Sequence, residues 1–319
     1  MRVLLTGAFG KIGYRVTEAL VAAGHEVVCF DVDTAANRRT ARRFGDRIAV
    51  RWGDVTDPAS VAAAVAGCDA VIHNAAILPP ASEAHPALAE RINVGGTRHV
   101  LAAMAAHAPA ALLVYPSSVS VHGSDAATTA LRRVDDPLHA DDAYAGHKIR
   151  CEELIAASGV RAVILRIGAC LEGRNAMEAD RRLLRMMFDI APAWRVEYVH
   201  PKDVATAMVH ALDASEAVGR TLFLGGGPDC RTTWREFTSL TFDAIGCGAL
   251  PVEAFGAQPY YTAWMDTDEA QRLLRFQRHT LADFRAELGH QFRWLRPLMR
   301  PVRGLVRRYL LSHSPYLPR

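Results

Sequence analysis

Arg2-Val-Leu-Leu-Thr6-Gly7-Ala8-Phe9-Gly10-Lys11-Ile12-Gly13 is a short apolar run that ends in a glycine-rich turn. Arg2–Thr6 reads as a buried strand. Lys11–Ala23 reads as a helix, with Ile12, Val16, Leu20 and Ala23 on one face. A Cβ at the turn would keep the backbone away from a pyrophosphate, and the helix start offers that anion free N–H groups and a partial positive charge. Gly7, Gly10 and Gly13, with Phe9, Lys11 and Ile12 between them, are therefore expected to cradle a dinucleotide. Lys11 is followed by Ile12 rather than Ser or Thr, which excludes a P-loop. Asp31 ends the second strand, about 20 residues further on, where an acid accepts hydrogen bonds from ribose hydroxyls and repels a 2′-phosphate. That favours NAD, while Arg38 and Arg39 keep NADP as the lesser option and a solvated loop acid is the other reading of Asp31. Asp54 and Val55, after the third strand, either flank the adenine or form an ordinary turn.

Outward from this stretch, strands of continuous Val, Ile and Leu alternate with helices. Strands are expected at Glu26–Asp31, Ile48–Arg51, Ala70–His73, Ala111–Tyr115 and Ala162–Ile167, and helices near Pro58–Ala66, at Pro86–Ala106 and at Asp141–Ser158. This rhythm predicts an α/β fold, a doubly wound parallel sheet covered on both faces. After Gly168 the rhythm loosens. Val196–Val199, Val204–Leu212 and Thr221–Leu224 read as a returning strand, helix and strand, followed by a helical stretch at Thr232–Ile245. The expected organisation is a nucleotide-binding domain over 1–167, rejoined by 196–225. A smaller substrate-covering subdomain takes 168–195 and 226–290, and a basic tail takes 291–319.

Three elements carry chemistry. Tyr144-Ala-Gly-His-Lys148 sets a phenol and an amine on one helix face. Val114-Tyr-Pro-Ser-Ser118 ends a strand at the sheet edge where such folds bind ligands, and Asn93 lies in the long helix between them. A phenol is a poor base near neutrality, and a nearby ammonium lowers its pKa. Lys148 is expected to do this and to hold the nicotinamide ribose, while Ser118 hydrogen-bonds the substrate oxygen and Tyr144 trades the proton. Taken alone, Tyr144 and Lys148 could equally be a surface pair.

With these residues in place the chain resembles an extended short-chain dehydrogenase/reductase of the NAD-dependent epimerase/dehydratase family. Thr6–Gly13, Asp31, Asp54, His73-Asn74-Ala75-Ala76, Asn93-Val-Gly-Gly-Thr97, Ser117–Gly123, Tyr144 with Lys148, Leu165-Arg166 and His200-Pro-Lys-Asp203 carry the likeness, over about residues 1–225. The resemblance implies a Rossmann domain with Ser118, Tyr144 and Lys148 as catalytic triad. It places Asn74, Ala75, Ala76 and Asn93 beside the cofactor, and implies a homodimer formed through the helices that hold Asn93 and Tyr144. Asn93 could instead be structural, and His200 and Asp203 are expected to anchor a turn. Ser118-Val119-Ser120 lacks the acidic pair that dehydratases of the family carry. Gly168-Ala-Cys-Leu-Glu-Gly173 stands where sugar-nucleotide epimerases have Asn-Val-Tyr-Gly-Pro, and Ile77-Leu78-Pro79-Pro80 is apolar. These departures point to an alcohol or ketone of low polarity near Ile77, Leu78, Ser118, Ser120 and Gly168.

Composition bounds the rest. Of 319 residues half are apolar and 22% charged, which excludes disorder and coiled coil. The net charge is +3, but the seven arginines of 290–319 leave residues 1–289 at −4, so no basic stripe for nucleic acid runs through the body. Six scattered cysteines without a C-x-x-C pair suggest reduced thiols and a cytoplasmic protein. No signal peptide is legible. The stretch His99–Ser124 lacks charged side chains, but it reads as a helix end and a strand rather than a membrane span. No zinc spacing and no Gly-x-Ser-x-Gly elbow occurs, so no metal is expected. In the tail, Leu295, Leu298, Val302, Leu305, Val306 and Tyr309 fall on one helical face, with Arg296, Arg300, Arg303 and Arg307 opposite. That face is expected to pack on the protein or a second subunit, or to let 294–311 touch an anionic membrane surface. The leading expectation is an NAD-dependent dehydrogenase/reductase of a secondary alcohol or ketone. The alternatives are a sugar epimerase that retains NAD and, outside catalysis, a dinucleotide-binding sensor or scaffold.

Overall fold

The computed structural model describes residues 1–124, 131–171 and 181–317; Glu172, Gly173 and Arg319 lie outside them. The strands are β1 Arg2–Thr6, β2 Glu26–Asp31, β3 Ala49–Trp52, β4 Ala70–His73, β5 Leu112–Ser118, β6 Ala162–Ile167, β7 Arg195–Glu197, β8 Thr221–Leu224 and β9 Arg231–Thr233. The helices of the first half are α1 Lys11–Ala22, α2 Ala35–Ala41, α3 Pro58–Val65, α4 Ala81–Ala84, α5 Pro86–Glu90, α6 Gly96–His107 and α7 Ala143–Ser158. Those of the second half are α8 Arg181–Asp189, α9 Pro201–His210, α10 Trp234–Ala244, α11 Asp268–Leu274, α12 Leu281–Gln291, α13 Leu295–Met299 and α14 Arg303–Leu311.

Seven strands form one parallel sheet in the order β3-β2-β1-β4-β5-β6-β8. Apart from the edge strand β3, whose Ala49 and Arg51 are exposed, the strands bury both faces, so alternate residues feed two cores. Val3, Leu5, Val27, Cys29, Ile72, Val114 and Leu165 pack under α1 and α9. Leu4, Val28, Phe30, Val71, Leu113, Tyr115 and Ile164 pack under α3, α6 and α7. This two-sided burial is why the strands read as continuous apolar runs. The strand order reverses between β1 and β4, and the crevice at their C-terminal ends is where doubly wound sheets receive ligands.

Several elements differ from expectation for physical reasons. The expected helix over 86–106 is interrupted by a π-helical turn, Arg91–Gly95, between α5 and α6. Such a turn adds one residue per hydrogen-bonded ring, a feature frequent at functional sites. Strand β5 runs beyond Tyr115 to Ser118, with Pro116 paired opposite Leu165. Proline removes only a donor, and its carbonyl finds a partner described below. The expected returning strand at Val196–Val199 is β7, which pairs antiparallel with β9 in a separate two-stranded sheet; Thr221–Leu224 does join the large sheet as β8. Thr232 and Thr233 belong to β9, and Thr233 caps α10 with Glu236 in a reciprocal capping box.

A third core holds Phe188, Ile190, Val196, Trp234, Phe242 and Phe255. Against it lie α13 and α14, and here the expected tail face splits. Leu295 and Val306 turn inward with Met299, Leu310 and Leu311, whereas Leu298, Val302, Leu305 and Tyr309 are exposed. The tail forms two short helices, with Pro297 in the first turn of α13 and Pro301 between it and α14. No described helix is long and apolar enough to cross a membrane; His99–Ser124 is the end of α6, strand β5 and a 3-10 turn.

Candidate active site

The glycine turn is tight enough to exclude side chains. Gly7 has φ +64°, and a Cβ there would sit 2.8 Å from Ala75 Cα. A Cβ on Gly13 would lie 2.0 Å from the Gly7 carbonyl oxygen. Gly10 starts α1 with no side-chain cap and no acid in the first turn, leaving that helix end open to an anion. Asp31 stands beside the turn, its carboxylate accepting the Phe9 N–H at 2.9 Å and the Val32 N–H at 2.8 Å. Burial pushes the Asp31 carboxyl up, and those two hydrogen bonds work against it. Arg38 is paired with Asp33 through two hydrogen bonds and lies over the Trp52 ring. It is thus already committed near the place where a 2′-phosphate would need a cation. These features fit a dinucleotide without a 2′-phosphate.

Asp54 closes a turn after β3. Its carboxylate accepts both the N–H and the hydroxyl of Thr56, while Val55 is buried in the second core against Gly96. Asn74 and Ala75 adjoin the glycine turn. The Asn74 amide donates to the Gly7 carbonyl at 3.3 Å, and the Ala75 N–H to the Thr6 hydroxyl at 3.1 Å. Ala76 follows in the same loop, half-buried. Asn93, buried in the π turn, exchanges two hydrogen bonds with the backbone of Ile77, at 2.7 and 3.0 Å. It therefore positions the loop that follows β4. Leu78 at the loop's tip is 57% exposed.

Ser118 ends β5 and Tyr144 opens α7. The Ser118 hydroxyl faces Tyr144 closely enough to oppose the rise of its phenol pKa, and it accepts the N–H and hydroxyl of Ser120, at 3.1 and 2.9 Å. Asp142 caps α7 by accepting the Ala145 N–H at 2.7 Å. Glu83 of α4 accepts the N–H groups of Ala143 and Tyr144, each at 3.3 Å. The helix start that carries the phenol is thus held from both sides.

Lys148 is one turn further on. Its ammonium donates to the Pro116 carbonyl at 2.6 Å and to the Tyr115 hydroxyl at 3.3 Å, and lies 5.8 Å from the Tyr144 ring centre. Burial pulls the Lys148 amine down to about 8, with Cys151 and Glu152 opposing. Tyr144 is pushed up rather than down. Burial is the main cause, followed by the Tyr261 phenol and Asp142, with the Ser118 hydroxyl opposing. The Lys148 ammonium spends its hydrogen bonds on Pro116 and Tyr115 of β5 rather than on the phenol oxygen.

Under the site lies a buried polar frame. Glu152 of α7 pairs with Arg166 of β6 at 2.7 and 3.1 Å and accepts the Ser117 hydroxyl of β5. Arg166 also meets His122 Nε2 at 3.0 Å and donates to the Val134 carbonyl at 2.7 Å. On the glycine side, the Thr6 hydroxyl meets His73 at 2.8 Å and His73 meets Thr97 at 3.2 Å.

Sequence reasoning missed the far wall. Tyr261 raises Tyr144 electrostatically, and Tyr260 donates to its hydroxyl at 2.8 Å. Met265 closes on Gly168, where a Cβ would lie 2.5 Å from its methyl, so Gly168 is a packing contact at the end of β6. Glu197, fully buried, accepts the N–H groups of Gly227 and Met265 and the Arg231 guanidinium, tying this wall to β7. No short motif marks these residues. Among the described residues, His200, Asp203 and His279 have the spacing of metal ligands. They are already committed: Asp203 accepts the N–H groups of Arg278 and His279, and His200 accepts the Lys202 N–H at the start of α9. They anchor a turn, as the sequence suggests.

A strand-edge serine, a helical Tyr and Lys, and an open glycine turn on this sheet order define an extended short-chain dehydrogenase/reductase. The chain belongs to the NAD dependent epimerase/dehydratase family, whose profile matches residues 3–225. It is similar to human 3 beta-hydroxysteroid dehydrogenase type 7, with 28% identity over 290 residues, 82% of this chain and 76% of that one. A 2-alkyl-3-oxoalkanoate reductase of Stenotrophomonas maltophilia is 36% identical over 121 residues, 38% of this chain and 34% of that protein. A short-chain dehydrogenase/reductase superfamily protein from Agrobacterium tumefaciens, solved with bound NAD, shares the fold at TM-score 0.76. It is 20% identical and covers 95% of this chain and 100% of that one.

Proposed function

We propose that the chain is an NAD-linked dehydrogenase/reductase that interconverts a secondary alcohol and its ketone on a weakly polar carbon skeleton. The observation that carries this reading is the convergence of Ser118, at the end of β5, with Tyr144 and Lys148, one helical turn apart on α7 and with the ammonium 5.8 Å from the phenol ring centre. Nicotinamide, when bound, supplies a carbon that accepts or gives hydride. The protein's part is acid–base work and orientation. Ser118 holds the substrate oxygen, and the Tyr144 hydroxyl gives its proton to a ketone oxygen in reduction, while in oxidation the Tyr144 phenolate takes the proton from an alcohol. Lys148 supplies positive charge beside that proton transfer and a donor for the ribose. Gly7, Phe9, Gly10, Lys11, Ile12 and Gly13 would hold the pyrophosphate, and Asp31 the adenosine ribose.

The low polarity of the substrate is supported by exposed Leu78, by Ile77 and by the aromatic pair Tyr260 and Tyr261. The relatives named as a hydroxysteroid dehydrogenase and an alkyl-oxoalkanoate reductase agree with it. The discriminating experiment presents steroid-like, long-chain and sugar alcohols with NAD and follows net formation of reduced nicotinamide. Net reduction with the apolar alcohols is expected. Conversion of a sugar nucleotide with no net reduction would replace this reading by an epimerase.

A further inference from the structure

The last two helices present two different surfaces. Inward, Leu295, Met299, Val306, Leu310 and Leu311 pack on the third core. Arg307 donates to the carbonyls of Cys247 and Ala249 at 3.0 and 2.7 Å, and Ser314 to that of Ala254 at 2.6 Å. The segment is thus pinned to the body. Outward, Trp294 is 74% exposed, Leu305 71% and Leu298 70%, the three most exposed large apolar side chains described. Tyr309 and Val302 share that side. Single exposed apolar residues are ordinary, but this is a contiguous set on one short segment.

Arg300, Arg303 and Arg308 lie exposed among them, and no Asp or Glu follows Glu287 to the end of the chain. Among the described residues no carboxylate forms an ion pair with any arginine from Arg293 to Arg308. We propose that this outer face of α13 and α14 docks on an anionic lipid surface. Tryptophan and tyrosine suit the headgroup level, leucine the acyl boundary beneath it, and guanidinium the phosphates around them. A second copy is the poorer occupant. Two-fold pairing would oppose one set of arginines with another, and the segment has no acid to neutralise either. The docking is independent of the chemistry proposed for Tyr144.

The test uses the full chain with vesicles of phosphatidylcholine alone or mixed with phosphatidylglycerol, read by co-sedimentation. Binding to the mixed vesicles only, weakened by salt, is expected. Leu298→Ser with Leu305→Ser, and separately Arg300→Gln, Arg303→Gln and Arg308→Gln together, should each weaken it about tenfold or more. These side chains are exposed, so circular dichroism and nicotinamide binding should stay as in the parent. The proposal is overturned if the full chain ignores mixed vesicles, or if the serine variant binds as well as the parent. Sedimentation velocity supplies a further check. A dimer lost in the serine variant, with no vesicle binding by the parent, would assign the face to a second copy and overturn the lipid assignment. Retardation of duplex DNA without vesicle binding would overturn it equally.

Discussion

The ammonium of Lys148 donates to the carbonyl of Pro116 at 2.6 Å, joining α7 to the strand that carries Ser118. A proline near a strand end would ordinarily mark lost pairing. Here its carbonyl holds the one cation at the centre of the site. That contact keeps the cation in place, while burial lowers its pKa to about 8. The charged form is therefore the one that weakens within the working pH range.

The pH profile follows from that value. In the free protein Lys148 loses its charge as pH rises through about 8, so kcat/KM should fall on the alkaline side of that value. Lys148→Arg, whose guanidinium stays charged, should remove the alkaline limb even if its ceiling is lower. A limb unchanged in Lys148→Arg would assign it to another group.

Tyr144→Phe deletes one hydroxyl in a site already closed by Ser118 and Glu83. Nicotinamide binding by calorimetry should be kept. Turnover should fall by about 10²–10⁴, the usual worth of a positioned acid–base group. Unchanged turnover would remove the phenol from the chemistry.

Gly13→Ala tests the cradle. The new methyl would overlap the Gly7 carbonyl, a backbone atom that cannot step aside without moving the turn. The expected loss is about 1–3 kcal/mol in urea denaturation, with nicotinamide affinity at least about tenfold weaker. Gly13→Ala binding nicotinamide like the parent would show the turn to be elastic.

The legible parts were those where one residue type has one physical use. Gly7 and Gly13 can be nothing else at their contacts, and the apolar strands declare two-sided burial. Tyr144 and Lys148 were found because a helix puts fourth neighbours together. The π turn at Arg91–Gly95 was illegible because one extra residue in a ring leaves local composition unchanged. Tyr260, Tyr261 and Met265 come to the site through the segment that Glu197 holds, and its three hydrogen bonds join residues distant in sequence. The firm helix after Pro301 was legible from that proline, whereas the split of the tail's apolar residues into an inner and an outer set depends on how α13 and α14 seat on the third core.

Glu152 and Arg166 form a buried pair, their side chains 8% and 6% exposed. Removing one partner leaves an unpaired charge and frees Ser117 beside Ser118. Glu152→Ala should cost about 3–5 kcal/mol by urea denaturation. The same variant should lower kcat more than it raises KM, since β5 and α7 lose their brace while the nicotinamide turn is untouched. A cost below ~1 kcal/mol would show that water or a neighbouring group replaces the carboxylate.

Acid sensitivity should come from the two buried histidines that face the site from opposite sides. Burial, and next the Lys148 charge, hold His73 down to about 3, and burial, and next Arg166, hold His122 down to about 4. Below the ordinary value of 6.5 the unfolded chain binds protons at both positions while the folded one does not. Stability is therefore full above about pH 6.5 and declines as pH falls toward 4 and then 3. At pH 5 each histidine should account for ~2 kcal/mol of lost stability relative to neutral pH. Urea melts at pH 7, 6 and 5 measure the slope. His73→Gln with His122→Gln keeps polar groups at both sites and removes the protonation, so the double variant, though weaker at pH 7, should show a flatter dependence. An equal slope in parent and variant would place the acid sensitivity in the carboxylates instead.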